Sequence, residues 1–132
     1  MKLSPKCRKL FCMSPETSNF EISCFEKLVK QKPNYIDALI PLAEVYTKAG
    51  FYEKGLKVDK KLVKLRKKDP NVHYNLACSL ALTGKTEQSF AALERAMKLG
   101  YSDLEHMKQD PDLKSLHSDP RFQELLKKKN RW

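Results

Sequence analysis

The sequence predicts an all-α fold: a solenoid of antiparallel helical hairpins, about two and a half to three units long, closed by a C-terminal helical cap. Three observations carry this expectation. Displaced by thirty-four residues, the chain matches itself, with Leu42-Ala43 returning as Leu76-Ala77, Tyr46 as Leu80 and Gly50 as Gly84. In the second half of the unit the correspondence extends over three copies: Ile22, Leu56 and Phe90; Leu28, Leu62 and Ala96; Val29, Val63 and Met97; Lys30, Lys64 and Lys98. Past residue 100 the period stops, and an Asp-Pro step appears twice, at Asp110-Pro111 and Asp119-Pro120. A fixed period of this length marks units that cannot bury their apolar faces alone and so stack, with an atypical unit sealing the end.

The elements follow in order. Residues 1–33 read as a degenerate N-terminal unit of the single domain 1–132. Within it, Ser4-Pro5 is a candidate start for a short helix carrying Cys7, Leu10 and Phe11, although Arg8 and Lys9 occupy the positions of Leu42-Ala43. The alternative is a basic arm. From about Thr17, Phe20, Cys24, Phe25, Leu28 and Val29 fall at helical spacing until Pro33-Asn34. Residues 34–69 form the next unit. Its first helix, about Tyr35 to Ala49, turns Leu39, Leu42, Ala43 and Tyr46 to one side, is expected to bend locally at Pro41, whose ring removes the hydrogen bond back to Asp37, and exits at Gly50.

The second helix of that unit, about Tyr52 to Lys68, carries Leu56, Leu62, Val63 and Leu65. Because Pro33-Asn34 and Pro70-Asn71 lie thirty-seven apart, it is expected to gain most of a turn. Residues 70–100 repeat the unit, with Val72, Leu76, Ala77 and Leu80, then Phe90, Leu93, Ala96 and Met97 as apolar points before Gly100. Residues 101–132 are the cap and a basic tail. Each Asp-Pro step offers a side-chain cap followed by proline at the first helical position. Leu113 and Leu116, then Phe122, Leu125 and Leu126, mark two short helices.

Composition bounds the function. The 132 residues are 41% apolar and 32% charged, a globular balance, with a net charge of +10 that favours acidic partners. No run approaches the ~18 apolar residues of a membrane span, and residues 1–13 lack the apolar core of a secretory signal. The expected compartment is the cytoplasm, where Cys7, Cys12, Cys24 and Cys78 read as free thiols. Cys7 and Cys12 have no second thiol pair or histidine to complete a metal set, so no metal and no cofactor is expected. His73, His106 and His117 are scattered, without a thiol at nucleophile spacing, and no glycine-rich phosphate loop is present. The chain reads as a non-enzyme.

Residues 34–100 resemble tetratricopeptide repeats, in Leu42-Ala43, Tyr46, Gly50, Tyr52, Leu76-Ala77, Gly84 and Ala96. They depart from that family at Gly55 and Ser89, where alanine is usual, and at Leu39 and His73, where an aromatic is common. The stretch from Tyr101 to Leu126 resembles the end segment of bacterial arrays of this family. The resemblance implies a non-catalytic interaction module, an adaptor or assembly factor, with a concave wall built from the first helix of each unit. That wall would present Asp37, Ile40, Glu44, Thr47 and Lys48, then Asn71, Tyr74, Asn75, Cys78, Ala81 and Leu82, to a partner peptide or helix. Some members hold a chaperone's C-terminal carboxylate, but Ile40 and Glu44 stand here where a lysine and an asparagine are wanted.

Two other surfaces compete. Lys54, Lys57, Lys60, Lys61, Lys64, Arg66, Lys67 and Lys68 form an alternative anion-binding face for nucleic acid, although only Tyr52 is available there for base stacking. The bland reading is a solvated outer face. Apolar residues around Phe20 and Phe25 offer a route to self-association through the N-terminal unit. No membrane partner is expected, because the tail from Lys127 to Trp132 carries a single large apolar residue.

Overall fold

A computed structural model describes residues 15–128, with side chains from residue 19 onward. Among the described residues the chain is all α, with no strand. The helices are α1 (Pro15–Gln31), α2 (Ile36–Lys48), α3 (Tyr52–Leu65), α4 (Pro70–Leu82), α5 (Thr86–Lys98), α6 (Leu104–Gln109), α7 (Lys114–His117) and α8 (Pro120–Lys127), with a 3-10 turn at Pro111–Leu113. Each of α1 to α4 packs on the next helix in sequence, and the capping elements return onto α4 and α5. The Ser4-Pro5 helix, Cys7, Cys12 and the last residues of the basic tail lie outside the described residues.

Why these segments form hairpins is visible at their turns. Gly50, Gly84 and Gly100 adopt φ of 86°, 78° and 115°, the left-handed region that a residue with a Cβ enters at a cost. At each, the amide of the following residue reaches back to a carbonyl five positions earlier: Phe51 to Tyr46 (2.8 Å), Lys85 to Leu80 (2.8 Å), Tyr101 to Ala96 (2.9 Å). This bond closes a helix end and turns the chain back in three residues.

Small residues sit where the paired helices cross. A Cβ built on Gly55 would meet Thr47 Oγ1 at 3.3 Å and the Ala43 carbonyl at 3.5 Å. At the matching place in the next unit, the fully buried Ser89 donates its hydroxyl to the Ala77 carbonyl at 2.7 Å. The two departures from the family pattern are therefore both tolerated at a close crossing, one by having no side chain and one by satisfying a carbonyl.

Most expected core positions are buried: Leu39, Leu42, Ala43, Tyr46, Leu56, Leu62, Val72, Ala77, Leu80, Leu93, Ala96 and Met97. The helix runs unbroken through Pro41. Three expectations need correction. Helix α3 does not lengthen toward Asp69; it ends at Leu65, and Leu65 is exposed. The reason is that Pro33 and Pro70 are not equivalent. Pro70 opens α4 behind the Asp69 cap, whereas Pro33 precedes α2 by a whole turn, so α2 and α4 still start thirty-four residues apart (36 and 70). The turn between α3 and α4 is pinned by His73 Nε2 against the Lys67 carbonyl at 2.7 Å.

The second correction concerns α1, whose buried side is set by Ile22, Phe25 and Val29, while Phe20, Cys24 and Leu28 face outward. The third is α6, a helix begun by Asp103, whose carboxylate accepts from the His106 amide. The Asp-Pro steps behave as expected, Asp110 accepting from the Asp112 amide and Asp119 from the Arg121 amide.

Candidate functional site

The wall expected to bind a partner is treated differently in the two units. In the second unit it is covered by the chain's own C-terminal segment. Tyr74, on α4, stacks on Tyr101 with ring centroids 4.3 Å apart and donates its hydroxyl to Asp110 Oδ2 at 2.7 Å. Cys78, one turn on, directs its thiol to the same oxygen at 3.7 Å, and His106 Nε2 lies 3.3 Å from it. Asp110 Oδ1 accepts from the Asp112 amide at 3.0 Å. One buried carboxylate thus caps the 3-10 turn and fastens it to α4.

The electrostatics agree with that geometry. Burial is the largest cause holding the Tyr74 phenol far above the usual tyrosine range, reinforced by the neighbouring Cys78 and Asp110. Burial also raises Tyr101. Cys78, Asp110 and Asp112 place one ligand atom each within 4.8 Å of one another, the donors here that could hold a metal. Asp110 already accepts three hydrogen bonds, from Tyr74, Cys78 and Asp112, which gives it a structural role.

For the expected groove the consequence is specific. Tyr74 and Cys78 are buried in the contact with the cap, and Asn75 and Ala81 are buried as well, so none of the four lines an open recess. Glu44 is also buried. What stays accessible is the exposed Asp37 and the half-buried Ile40, Thr47 and Lys48 on α2, together with the half-buried Asn71 and Leu82 on α4. Thr47 turns its hydroxyl to the Ala43 carbonyl at 3.0 Å. Leu82 and Thr83 line a shallow recess of about 400 Å³ with Gly50 to Lys54, where Phe51 and Tyr52 are exposed.

The alternative face, expected on one helix to Lys68, is split: Lys57, Lys60, Lys61 and Lys64 lie on α3, and Lys67 and Lys68 in the turn after it. Lys60, Lys64, Lys67 and Lys68 are exposed, and Lys57 and Lys61 lie on the same side of the chain. None of the six forms an ion pair with a described residue. Of the two acids on that helix, Glu53 pairs with Lys85, and Asp59 is turned inward and accepts a hydrogen bond from Ser79. Lys54 lies over the Phe51 ring at 5.3 Å. An open depression of about 590 Å³ runs along Lys64 to Asp69.

Sequence reasoning missed the Asp110 hub and the buried Asp59–Ser79 pair. The available signal for the second was an acid placed among Leu56, Leu62 and Val63 on an apolar face. Among the described residues no helix is long and apolar enough to cross a membrane. No family model matches the chain, and no solved structure matches it. Over 54 residues the chain is 39% identical to a chloroplastic protein of Arabidopsis thaliana, a stretch covering 41% of this chain and 16% of that protein.

Proposed function

We propose that this chain is a cytoplasmic, non-catalytic interaction module of the tetratricopeptide type, whose hairpins stack as a short solenoid. It docks an acidic segment of a partner protein on the side of α2 that carries Asp37, Ile40 and Lys48. One observation carries the reading: the equivalent side of α4 is already filled by the chain's own cap, whereas on α2 Ile40, thirty-four residues before the buried Tyr74, stays half-buried. The filled wall supports the idea that this side accepts extended or short helical polypeptide. The lysines along α3, without ion-pair partners among the described residues, favour a partner of negative charge. A non-catalytic role fits the one place among the described residues where a thiol and an imidazole meet, because both point at Asp110, which holds the cap down.

Affinity capture with the intact chain, repeated with Ile40→Glu and with Lys60, Lys61 and Lys64 changed to Gln, tests the proposal. Loss of the captured protein with Ile40→Glu and modest salt dependence support docking on α2. The second reading, nucleic-acid binding along Lys57 to Lys68, is favoured by the six lysines having no ion-pair partner among the described residues. It requires binding to fall steeply with salt and to vanish in the lysine variant, because released counterions dominate such contacts.

A further inference from the structure

Helix α3 gathers charge of one sign in a way the equivalent helices do not. From Lys57 to Lys68 the chain carries seven cations and one acid, Asp59. Lys57, Lys60, Lys61 and Lys64 share about 100° of the helix circumference, and Asp59, on the opposite side, is 1% exposed. The matching positions are Ala91, Glu94, Arg95 and Lys98 on α5, and Ser23, Glu26, Lys27 and Lys30 on α1, both of mixed sign. Keeping an outer face in water therefore does not require the lysines. On α5 the acid Glu94 is paired with Lys128 at 3.0 Å, whereas no cation of the α3 row has an ion-pair partner among the described residues.

At its C-terminal end the row runs into the turn. Lys64 lines the open depression with Leu65, Arg66, Lys67, Lys68 and Asp69, and Asp69 is committed to the Asn71 amide at 2.9 Å. Leu65 is 36% exposed among these four cations, whereas its counterpart thirty-four residues on, Leu99, is half-buried. That side chain distinguishes between anionic partners. An apolar group held among cations gains by leaving water where the partner has an apolar layer beneath its charge, which is how a lipid headgroup region is built. Nucleic acid meets the same cations but offers bases for stacking, and the row has no ring to receive them: Phe51 and Tyr52 stand at the other end of α3.

We propose that this chain binds the surface of membranes that contain anionic lipid, with the lysines of α3 against the headgroups and Leu65 at the boundary with the acyl chains. The contact is peripheral, because a row of lysines and one leucine touch a bilayer without spanning it. The expectation of no membrane partner concerns the tail from Lys127, a separate segment. The inference is independent of docking on α2.

Co-sedimentation of the full chain with phosphatidylcholine vesicles, with and without about 30% phosphatidylserine, tests the proposal. The expected result is binding to the anionic vesicles alone at about 0.1 M salt, largely screened at about 1 M. Lys60→Gln, Lys64→Gln and Lys67→Gln, all at exposed positions, together lower the affinity about a hundredfold, at about fivefold per charge. Unchanged helical circular dichroism confirms the fold of the variant. In a Trp132→Phe background, the fluorescence of Leu65→Trp shifts to the blue on binding and is quenched by lipids brominated in the acyl chain. A chain that ignores the anionic vesicles overturns the proposal, and if it then binds a DNA duplex through the same lysines, nucleic acid is the partner of this face. Binding that survives in the lysine variant overturns it too, as does binding that leaves Leu65→Trp unshifted and unquenched.

Discussion

Replacing Asp110 with alanine tests the assignment of the cap most sharply. The change removes the acceptor of the buried Tyr74 hydroxyl, and an orphaned buried donor costs about 1–3 kcal/mol. It also removes the side-chain cap on the Asp112 amide, worth about 1 kcal/mol. Together the loss is about 3 kcal/mol, which for a chain of this size lowers Tm by roughly 12 °C. Asp110→Asn keeps a cap and an acceptor, and costs about 1 kcal/mol. Urea denaturation measures the global loss, and the reaction of Cys78 with a thiol reagent measures the local one, since its thiol is buried beneath the same carboxylate. If Asp110→Ala and Asp110→Asn are equally mild and Cys78 stays unreactive in both, the cap is not fastened through this residue.

Three other outcomes follow from the same contacts. Tyr74 is held neutral in the folded chain and ionises near pH 10 when unfolded, so its contribution is complete below that pH and declines above it, by about 1.4 kcal/mol per pH unit. Stability measured from pH 9 to 11 should fall more gently for Tyr74→Phe. Gly84→Ala, at φ 78° with nothing within 4 Å of the new Cβ, should destabilise by about 1 kcal/mol through backbone strain alone. Gly55→Ala has an ordinary helical φ and only the Thr47 hydroxyl to displace, so helix propensity should stabilise it by about 0.5 kcal/mol; thermal melts that give both changes the same sign contradict this account of the two glycines.

How far the sequence revealed the molecule depended on whether a feature was local or repeated. The five long helices were legible because Leu42-Ala43 and Leu76-Ala77, or Leu62 and Ala96, report one packing position more than once. Asp110 and Asp119 were legible as caps because capping is written in adjacent residues. The second task of Asp110 was not, since Tyr74 and Cys78 lie 36 and 32 residues away and leave no periodic trace. Counting from Pro33 to Pro70 misplaced the end of α3, because proline serves before one helix and inside the first turn of the other. Spacing also could not show that Phe20 and Leu28 lack a covering helix among the described residues; that depends on a neighbour, which periodicity does not encode. The groove suffered most, since Tyr74, Asn75 and Cys78 were assigned to an open wall that the cap closes.

The docking claim is tested most directly by photo-crosslinking, with a reactive side chain placed in turn at positions 40, 48, 57 and 60 of the intact chain and a captured partner present. Adducts at 40 and 48, and none at 57 or 60, are the predicted result. Adducts confined to 57 and 60, on the lysine stripe, would contradict it.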